Sequence, residues 1–268
     1  MKVIDNKALL LRLRDPAKVT DVIPKSKELS GNRVVVNWGV DEAHVLKNLD
    51  IHAPSPIEGQ YQWTGKYKPF EHQKTTSGFL TLNKRAFCFN EQGTGKTASA
   101  IWAADFLMKQ GRIKRALVIC PLSIMDSAWR EDLFSFAMHR KVDIAHGSAK
   151  KRTAVIEGDA EFVIINYDGV AIVSDAIANG GFDLVIVDEA THYKNAQTDR
   201  WKTLNRLLGP DKWLWMMTGT PAAQSPLDAY GLAKLVNPKA VPRFFGSFRD
   251  QVMVKVTNFK WVPKPNAT

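Results

Sequence analysis

A glycine-rich stretch, NEQGTGKT at residues 90–97, follows a short apolar run and leads into a helix-type sequence. Glycine at positions 93 and 95 lets backbone amides turn toward phosphate oxygens without a Cβ atom in the way. Lys96 carries a positive charge for the same phosphates, Thr97 offers its hydroxyl to Mg²⁺, and the helix N-terminus adds a partial positive charge. This spacing predicts an ATP-binding loop formed by Gln92, Gly93, Thr94, Gly95, Lys96 and Thr97.

Two acidic stretches compete for the other half of such a site: VDEAH at 40–44 and VDEATHYKN at 187–195. A phosphate-loop ATPase needs a carboxylate at the end of a neighbouring parallel strand, aimed at the same magnesium ion. An apolar run leads straight into the second stretch. We therefore expect Asp188 to hold Mg²⁺ and Glu189 to orient and deprotonate the attacking water. The first stretch precedes the phosphate loop, where Asp41 is expected to cap a short helix instead.

Elements able to position these groups follow from about residue 70 onward. Continuous apolar runs rich in Val and Ile alternate with stretches of helical period, which predicts an α/β fold with a parallel sheet and helices on both faces. The predicted strands are 85–90, 116–120, 162–166, 184–188 and 213–218, and the clearest predicted helices are 97–110 and 125–136.

The first 66 residues have a different pattern. Residues 8–14 and 33–38 have strand character, and residues 41–49 have helix character. The proline-containing stretch HAPSPIEGQ then separates them from the main domain. We expect a small α+β appendage of three strands and a helix.

Composition narrows the class of protein. The 37 basic and 27 acidic residues give a net charge of +10, which is consistent with a polyanionic partner such as nucleic acid but does not require one. No apolar run approaches the roughly 20 residues of a membrane span, so no membrane partner is expected. Cys88 and Cys120 lie inside apolar runs and are expected to be buried thiols in a reducing compartment.

Six stretches in order resemble the first, RecA-like motor lobe of the Swi/Snf-type DNA translocases, in helicase superfamily two. The resemblance extends from about Tyr67 to about Val254 and implies an ATP-binding lobe at 67–240 and a segment at 241–268 leading to a second lobe. Residues 1–66 resemble no family, and they are expected to form an accessory domain of unknown role. The six stretches are FEHQ, NEQGTGKT, ICPLSIMDSAWREDLFSF, VIINYDGV, VDEATHYKN and MTGTPAAQSPLDAYGLAKLV.

Roles carry over from the family where residues match. Gln73 resembles the glutamine that reads the adenine edge through its side-chain amide, although it could also be a solvated helix residue. Trp129 is expected to pack in the core. Contacts to the DNA backbone are implied for Pro121, Leu122 and Ser123 and, in a second loop, for Asn166 and Tyr167, and coupling between ATP and DNA is implied for Thr218, Gly219 and Thr220.

The chain departs from the family pattern at three positions. Thr191 stands where the family usually has His, and His192 takes the position of the following Arg. The first of these normally helps to link this lobe to others, so the departure affects the expected coupling, not hydrolysis. Ala223 replaces a residue that is commonly polar.

The resemblance implies ATP and Mg²⁺ as cofactors, double-stranded DNA as substrate, and a second lobe that supplies arginine to the transition state. Because the chain stops where that lobe should begin, we expect a fragment of a longer ATP-hydrolysing translocase with little activity alone; a natural one-lobe protein is the alternative. The open rivals are an RNA helicase, the motor lobe of a restriction or fork-repair enzyme, and a non-hydrolysing DNA-binding module. We expect a cytoplasmic location in a bacterial or phage-infected cell, or a nuclear one in a eukaryote.

Overall fold

The first four strands form an antiparallel sheet with the order β1-β2-β4-β3. The computed structural model describes residues 1–220, 225–257 and 260–265, so Ala223 lies outside the described residues. Residues 1–66 also contain three helices, so the appendage has more elements than the expected three strands and one helix. Its elements are β1 (Lys2–Ile4), β2 (Ala8–Arg12), α1 (Ala17–Thr20), β3 (Lys27–Leu29), β4 (Arg33–Asn37), α2 (Val40–Asn48) and α3 (Ile57–Gln60).

The main domain is built on a six-stranded sheet with the order β5-β10-β9-β6-β8-β7. Every pairing in this sheet is parallel, as the sequence predicts. Five of the strands match the predicted ones, and one edge strand was not predicted. The strands are β5 (Arg85–Cys88), β6 (Ala116–Cys120), β7 (Val142–Ala145), β8 (Phe162–Asn166), β9 (Leu184–Val187) and β10 (Trp213–Met217).

Helices connect these strands and cover the sheet. A π-helical turn, Met125–Arg130, precedes the helix after β6, so the predicted helix at 125–136 consists of two different segments. A two-stranded antiparallel ribbon, β11 (Met253–Lys255) with β12 (Trp261–Pro263), follows the last helix. The helices are α4 (Glu71–Thr81), α5 (Lys96–Lys109), α6 (Glu131–Ala137), α7 (Ala149–Ile156), α8 (Tyr167–Ile172), α9 (Ser174–Asn179), α10 (Asp199–Leu207), α11 (Ala229–Val236) and α12 (Phe245–Val252).

Successive side chains of the central strands point to opposite faces of the sheet, and both faces are buried. In β6, Val118 belongs to a core cluster shared with α5 and α6, whereas its neighbour Leu117 belongs to a cluster shared with α10 and α11. Both side chains have no exposed surface. Burial on two faces explains why these strands are continuously apolar in sequence, and it confirms the prediction of helices on both faces.

The appendage packs directly against the main domain. Ile57 and Tyr61 share an apolar cluster with Trp102 and Phe106 of α5. The prediction that Asp41 caps α2 is wrong: Gly39 occupies the N-cap position, and the Asp41 carboxylate accepts two hydrogen bonds from Arg112. Capping fails because Asp41 already lies within the helix, where its carboxylate points outward to a cation.

None of the helices in residues 1–220, 225–257 and 260–265 combines the length and apolar character needed to cross a membrane. Cys88 and Cys120 are buried free thiols, as expected. Burial raises the pKa of the Cys120 thiol to about 12, so this side chain stays protonated and unreactive near neutral pH.

Candidate active site

Three predicted motifs meet at one edge of the central sheet. Strands β5, β10 and β9 lie side by side and run parallel, so the segments that follow them emerge together. These segments are the glycine-rich loop after β5, the Asp188–Glu189 pair after β9, and Thr218–Thr220 after β10. The Thr218 amide donates a 3.1 Å hydrogen bond to the carbonyl of Cys88, which fixes the last segment beside the first.

The glycine-rich loop adopts the backbone conformation that its glycines predict. Gly93 and Gly95 both have φ of +76°, in the left-handed region that other residues rarely adopt. The Lys96 ammonium donates 2.8 Å hydrogen bonds to the carbonyls of Asn90 and Glu91, so it lies folded over the loop. Helix α5 begins at Lys96 and presents its unpaired N-terminal amides to the same space. Backbone amides, a cation and a helix N-terminus together suit an anionic group such as a phosphate.

Gln73 lies against this loop, near the start of α4. Its Oε1 accepts a 2.9 Å hydrogen bond from the Phe70 amide, and its Nε2 donates a 3.2 Å hydrogen bond to the Thr94 carbonyl. A Cβ atom added at Gly95 would come within 2.1 Å of Gln73 Nε2, so a glycine is required for this approach. The placement is beside the predicted phosphate site, while adenine recognition by Gln73 stays a prediction.

Asp188 lies immediately after β9 and is only 8% exposed. The indole of Trp129 donates a 2.9 Å hydrogen bond to its Oδ2, and the Glu189 amide donates a 3.0 Å hydrogen bond to its Oδ1. Burial raises the pKa of Asp188, while these two hydrogen bonds and the nearby charge of Lys96 act in the opposite direction. Asp188 and the phosphate loop therefore lie at the same end of the sheet, on parallel strands with β10 between them.

Glu189 is a half-buried residue with a left-handed backbone, φ +46° and ψ +55°. This conformation costs a non-glycine residue about 1–2 kcal/mol, so surrounding contacts must hold it. The Tyr167 hydroxyl supplies one by donating a 2.6 Å hydrogen bond to the carbonyl of Asp188. The chain therefore turns sharply at the strand end, with two consecutive carboxylates at the turn.

Thr97 and Asp188 provide oxygen ligands, a hydroxyl and a carboxylate, of the hard type that Mg²⁺ prefers. Across residues 1–220, 225–257 and 260–265, no group of three His, Cys, Asp or Glu side chains is arranged to hold a metal ion. Magnesium at phosphate sites typically takes one or two protein ligands and completes its shell with phosphate and water, so the donor chemistry here fits it. Magnesium binding at these two residues stays a prediction.

The Thr218–Gly219–Thr220 segment packs on the phosphate loop. Thr218 is fully buried, and its hydroxyl accepts a 3.2 Å hydrogen bond from the Thr220 amide. A Cβ atom at Gly219 would lie 3.3 Å from Cγ of Gln92. This segment is therefore placed to respond to the loop, while its role in coupling stays a prediction.

The predicted DNA-contacting residues fall into two groups. Leu122 and Ser123 are exposed at the sheet edge, in a short 3₁₀ turn that follows the half-buried Pro121. Asn166 and Tyr167 are buried: Asn166 Oδ1 accepts a 2.9 Å hydrogen bond from Arg152, and Tyr167 bonds to the acidic turn. DNA contact stays a prediction for all five residues, and the first group has the more accessible side chains.

Sequence reasoning missed two contributors to this site. Trp129 was expected in the core, where it lies, but its hydrogen bond to Asp188 was not foreseen. Tyr167 was expected to face DNA, whereas its hydroxyl supports the acidic turn. The available signal was chemical: a buried tryptophan or tyrosine usually finds a partner for its polar atom.

Comparison with known proteins gives a family match over most of the chain. The model of the SNF2-related domain matches residues 74–261. A putative protein, p41, of Acyrthosiphon pisum secondary endosymbiont phage 1 is 27% identical over 64% of this chain and 39% of its own length. An uncharacterised ATP-dependent helicase of Mycoplasma genitalium is 28% identical over 60% of this chain and 16% of its own length. The chain thus spans well under half of each relative.

A solved structure, the Sulfolobus solfataricus SWI2/SNF2 ATPase core in complex with double-stranded DNA, superimposes with a TM-score of 0.63. The match covers 70% of this chain and 39% of that one at 22% sequence identity. At that identity the likeness establishes a shared RecA-like fold and nothing about chemistry.

Proposed function

The chain belongs to the SNF2-related domain family, and from this we propose that it is the ATP-hydrolysing lobe of a motor that moves along duplex DNA. One observation carries the proposal. The phosphate-type loop with Lys96 and the buried carboxylate of Asp188 follow parallel strands and emerge at the same end of one sheet, with β10 between them. That juxtaposition is what in-line transfer of a phosphoryl group to water requires.

Each polar group then has a distinct part in hydrolysis. The amides of the loop and the Lys96 ammonium hold the β- and γ-phosphates and neutralise charge that develops on them. Thr97 and Asp188 hold Mg²⁺, which polarises the phosphate when bound. Glu189, aimed by the left-handed turn, orients the attacking water and accepts its proton.

Gln73 is the proposed selector for adenine. Its amide has both a donor and an acceptor, the combination that the adenine edge presents in complementary order. Those two atoms bond to the backbone of Phe70 and Thr94, so the side chain is held beside the loop. We place the base next to this side chain and the phosphates in the loop.

Duplex DNA is the proposed track. The net charge of +10 favours a polyanion, and the exposed turn at Leu122–Ser123 offers a hydroxyl and backbone amides for phosphate contacts. The structurally similar Sulfolobus core was solved in complex with double-stranded DNA, which supports duplex over single-stranded DNA or RNA.

A complete motor site requires a second lobe. In phosphoryl transfer a further arginine neutralises the transition state and is worth about 10³–10⁵ in rate. The chain spans 39% of the Sulfolobus core, so we propose that an additional lobe supplies this group. The likeness to a phage protein supports a place of action in the cytoplasm of a bacterial cell.

Calorimetric titration with nucleotide and DNA tests the proposal on this 268-residue chain. We expect ATP binding that is strengthened by Mg²⁺, reduced at least tenfold by Lys96→Ala, and retained by Glu189→Gln. Duplex DNA should bind more tightly than single-stranded DNA or RNA of equal length. Nucleotide binding that is indifferent to Lys96→Ala would remove the basis of the proposal.

A further inference from the structure

Trp129 is fully buried, and its indole N–H donates to Asp188 Oδ2 across 59 positions of sequence. The second carboxylate oxygen, Oδ1, accepts from the Glu189 amide. Each oxygen therefore has one fixed donor, and hydrogen bonds to an ionised acceptor are stronger than neutral ones. The rotation of this carboxylate depends on where the indole lies.

The indole is carried by the π-helical turn Met125–Arg130, which continues directly from the 3₁₀ turn Leu122–Ile124. Single π-turns are rare and often occur at functional sites. The Ser127 hydroxyl donates a 3.1 Å hydrogen bond to the Ser123 carbonyl and ties the two turns together. One short segment thus has an exposed end, at Leu122 and Ser123, and a buried end, at Trp129, that bonds to Asp188.

We propose that Trp129 is a positioning residue that sets the orientation of the Asp188 carboxylate according to whether a DNA phosphate backbone occupies the Leu122–Ser123 turn. This inference rests on the proposed function and extends it. A small shift of the exposed turn moves the indole, because the segment between them is continuous helix. The carboxylate, held by that indole, is reoriented toward or away from the Mg²⁺ position. Binding at either end then changes affinity at the other, since coupling of this kind is reciprocal.

Indole N–H signals of the unaltered chain give a direct test. The eight tryptophans yield eight signals in a ¹⁵N-resolved NMR spectrum, and the Trp129 signal is assigned by its loss in Trp129→Phe. We expect that signal to move when Mg²⁺ and a non-hydrolysable ATP analogue are added, and also when a short DNA duplex is added alone. Trp215 is the matched reference: it is equally buried, but its indole donates to the carbonyl of Asn83, just before the start of β5.

A pair of variants separates positioning from packing. Trp129→Phe and Trp215→Phe both keep an aromatic ring in the same core cluster and both remove one N–H donor. We expect Trp129→Phe alone to weaken the Mg²⁺-dependent affinity for the ATP analogue about tenfold. Its affinity in EDTA should stay unchanged, and duplex DNA should no longer alter nucleotide affinity.

The outcomes are distinct. If the unaltered chain binds nucleotide without any effect of Mg²⁺, the proposed function itself is wrong. If it binds as proposed but Trp129→Phe behaves like Trp215→Phe, the proposed function stands and the positioning role is wrong. Should Trp129→Phe fail to fold, the remaining seven tryptophans can each be replaced to assign the Trp129 signal by elimination. A Trp129 signal unmoved by duplex DNA would then overturn the inference.

Discussion

Arg112 donates hydrogen bonds of 2.7 and 2.6 Å to the two carboxylate oxygens of Asp41. This ion pair holds the first acidic stretch, residues 40–44, against the segment that follows α5. Lys96 begins helix α5, while Arg112 follows the C-terminal end of that 14-residue helix, about 21 Å away at 1.5 Å per residue. The first acidic stretch, residues 40–44, thus forms part of the contact between the appendage and the far end of α5, and the second, residues 187–195, lies at the end of the sheet from which the phosphate loop emerges.

Matched substitutions test which of the two acidic stretches, residues 40–44 or residues 187–195, supplies the base for hydrolysis. We expect Glu189→Gln to reduce single-turnover ATP hydrolysis by roughly two orders of magnitude or more, because the water loses its base, and to leave nucleotide affinity unchanged. Glu42→Gln is the control, since the carboxylate of Glu42 lies on the surface of the appendage, where it accepts a hydrogen bond from Asn37. Hydrolysis lost in Glu42→Gln and kept in Glu189→Gln would reverse our assignment.

Nucleotide selectivity tests the role of Gln73. We expect Gln73→Ala to weaken ATP binding by about tenfold and GTP binding by much less, because the lost hydrogen bonds belong to the adenine edge. Competition titrations with the two nucleotides measure this difference. Gln73 also bonds to Phe70 and Thr94, so a general disturbance of the loop would weaken both nucleotides equally. Equal losses would assign Gln73 to loop support alone.

Asp105 is the fully buried centre of a charged network that joins the appendage to α5 and to the segment after α6. It accepts hydrogen bonds from Tyr61 at 2.6 Å, His139 at 2.8 Å and Arg140 at 2.6 Å, and pairs with Lys109 at 2.9 Å. Burial alone would raise the pKa of Asp105, but these donors outweigh it and lower the pKa below its usual range.

Removal of that charge should be costly. We expect Asp105→Asn to reduce the free energy of unfolding by about 3 kcal/mol at neutral pH, because the partner cations lose their counter-charge. Because the folded pKa of Asp105 is lowered, its ionised carboxylate stabilises the fold at pH values above the unfolded pKa near 4. This stabilisation is lost as the pH falls through the folded pKa. The difference in the free energy of unfolding between the unaltered protein and Asp105→Asn, measured in urea, should therefore become smaller in acid. Asp211→Asn, at a side chain 97% exposed, is the control and should change little.

Much of the fold follows from local patterns in the sequence. Four of the predicted strands, β6, β8, β9 and β10, are buried on both faces, so apolar side chains are continuous along them. Strand β7 lies at the sheet edge, where Val142 is half-buried and Asp143 is exposed, and it therefore has no such run. Strands β1 and β3 are three residues each and depend on pairing with β2 and β4, which no local window reveals.

The candidate site also has features that the sequence predicts and contacts that it does not. The phosphate loop and the Asp188–Glu189 pair were predictable, because glycine, lysine and carboxylates at a strand end have a chemical meaning at fixed spacing. The contacts of Trp129 and Tyr167 with the acidic turn join residues 59 and 21 positions apart. Sequence periodicity indicates that both rings are buried. It carries no information about which polar group each one meets.

Asp132 gives a pH-dependent prediction of opposite sign. Burial, with a smaller effect of Glu131, raises the pKa of its carboxyl to about 6. Because the folded pKa is raised, ionisation of Asp132 is disfavoured in the folded protein and destabilises it. This loss of stability is absent below the unfolded pKa near 4 and complete above the folded pKa of about 6. We expect Asp132→Asn to stabilise the protein by about 1 kcal/mol at pH 7.5, allowing for solvent screening. Melting curves at pH 4 should show no gain, and a gain that is the same at both pH values would contradict this origin.

The rate and salt dependence of this chain test the proposed need for a second lobe. Without the additional arginine we expect turnover at least 10³-fold below the roughly 10 s⁻¹ of a typical enzyme, with little stimulation by duplex DNA. DNA binding should be independent of sequence and should weaken steeply between about 50 and 200 mM salt, because phosphate contacts release counterions. A chain carrying both lobes is the comparison for turnover, and fluorescence anisotropy with two unrelated duplexes measures binding. Turnover within a few-fold of the two-lobe chain at saturating duplex would mean that the site of this lobe is complete by itself.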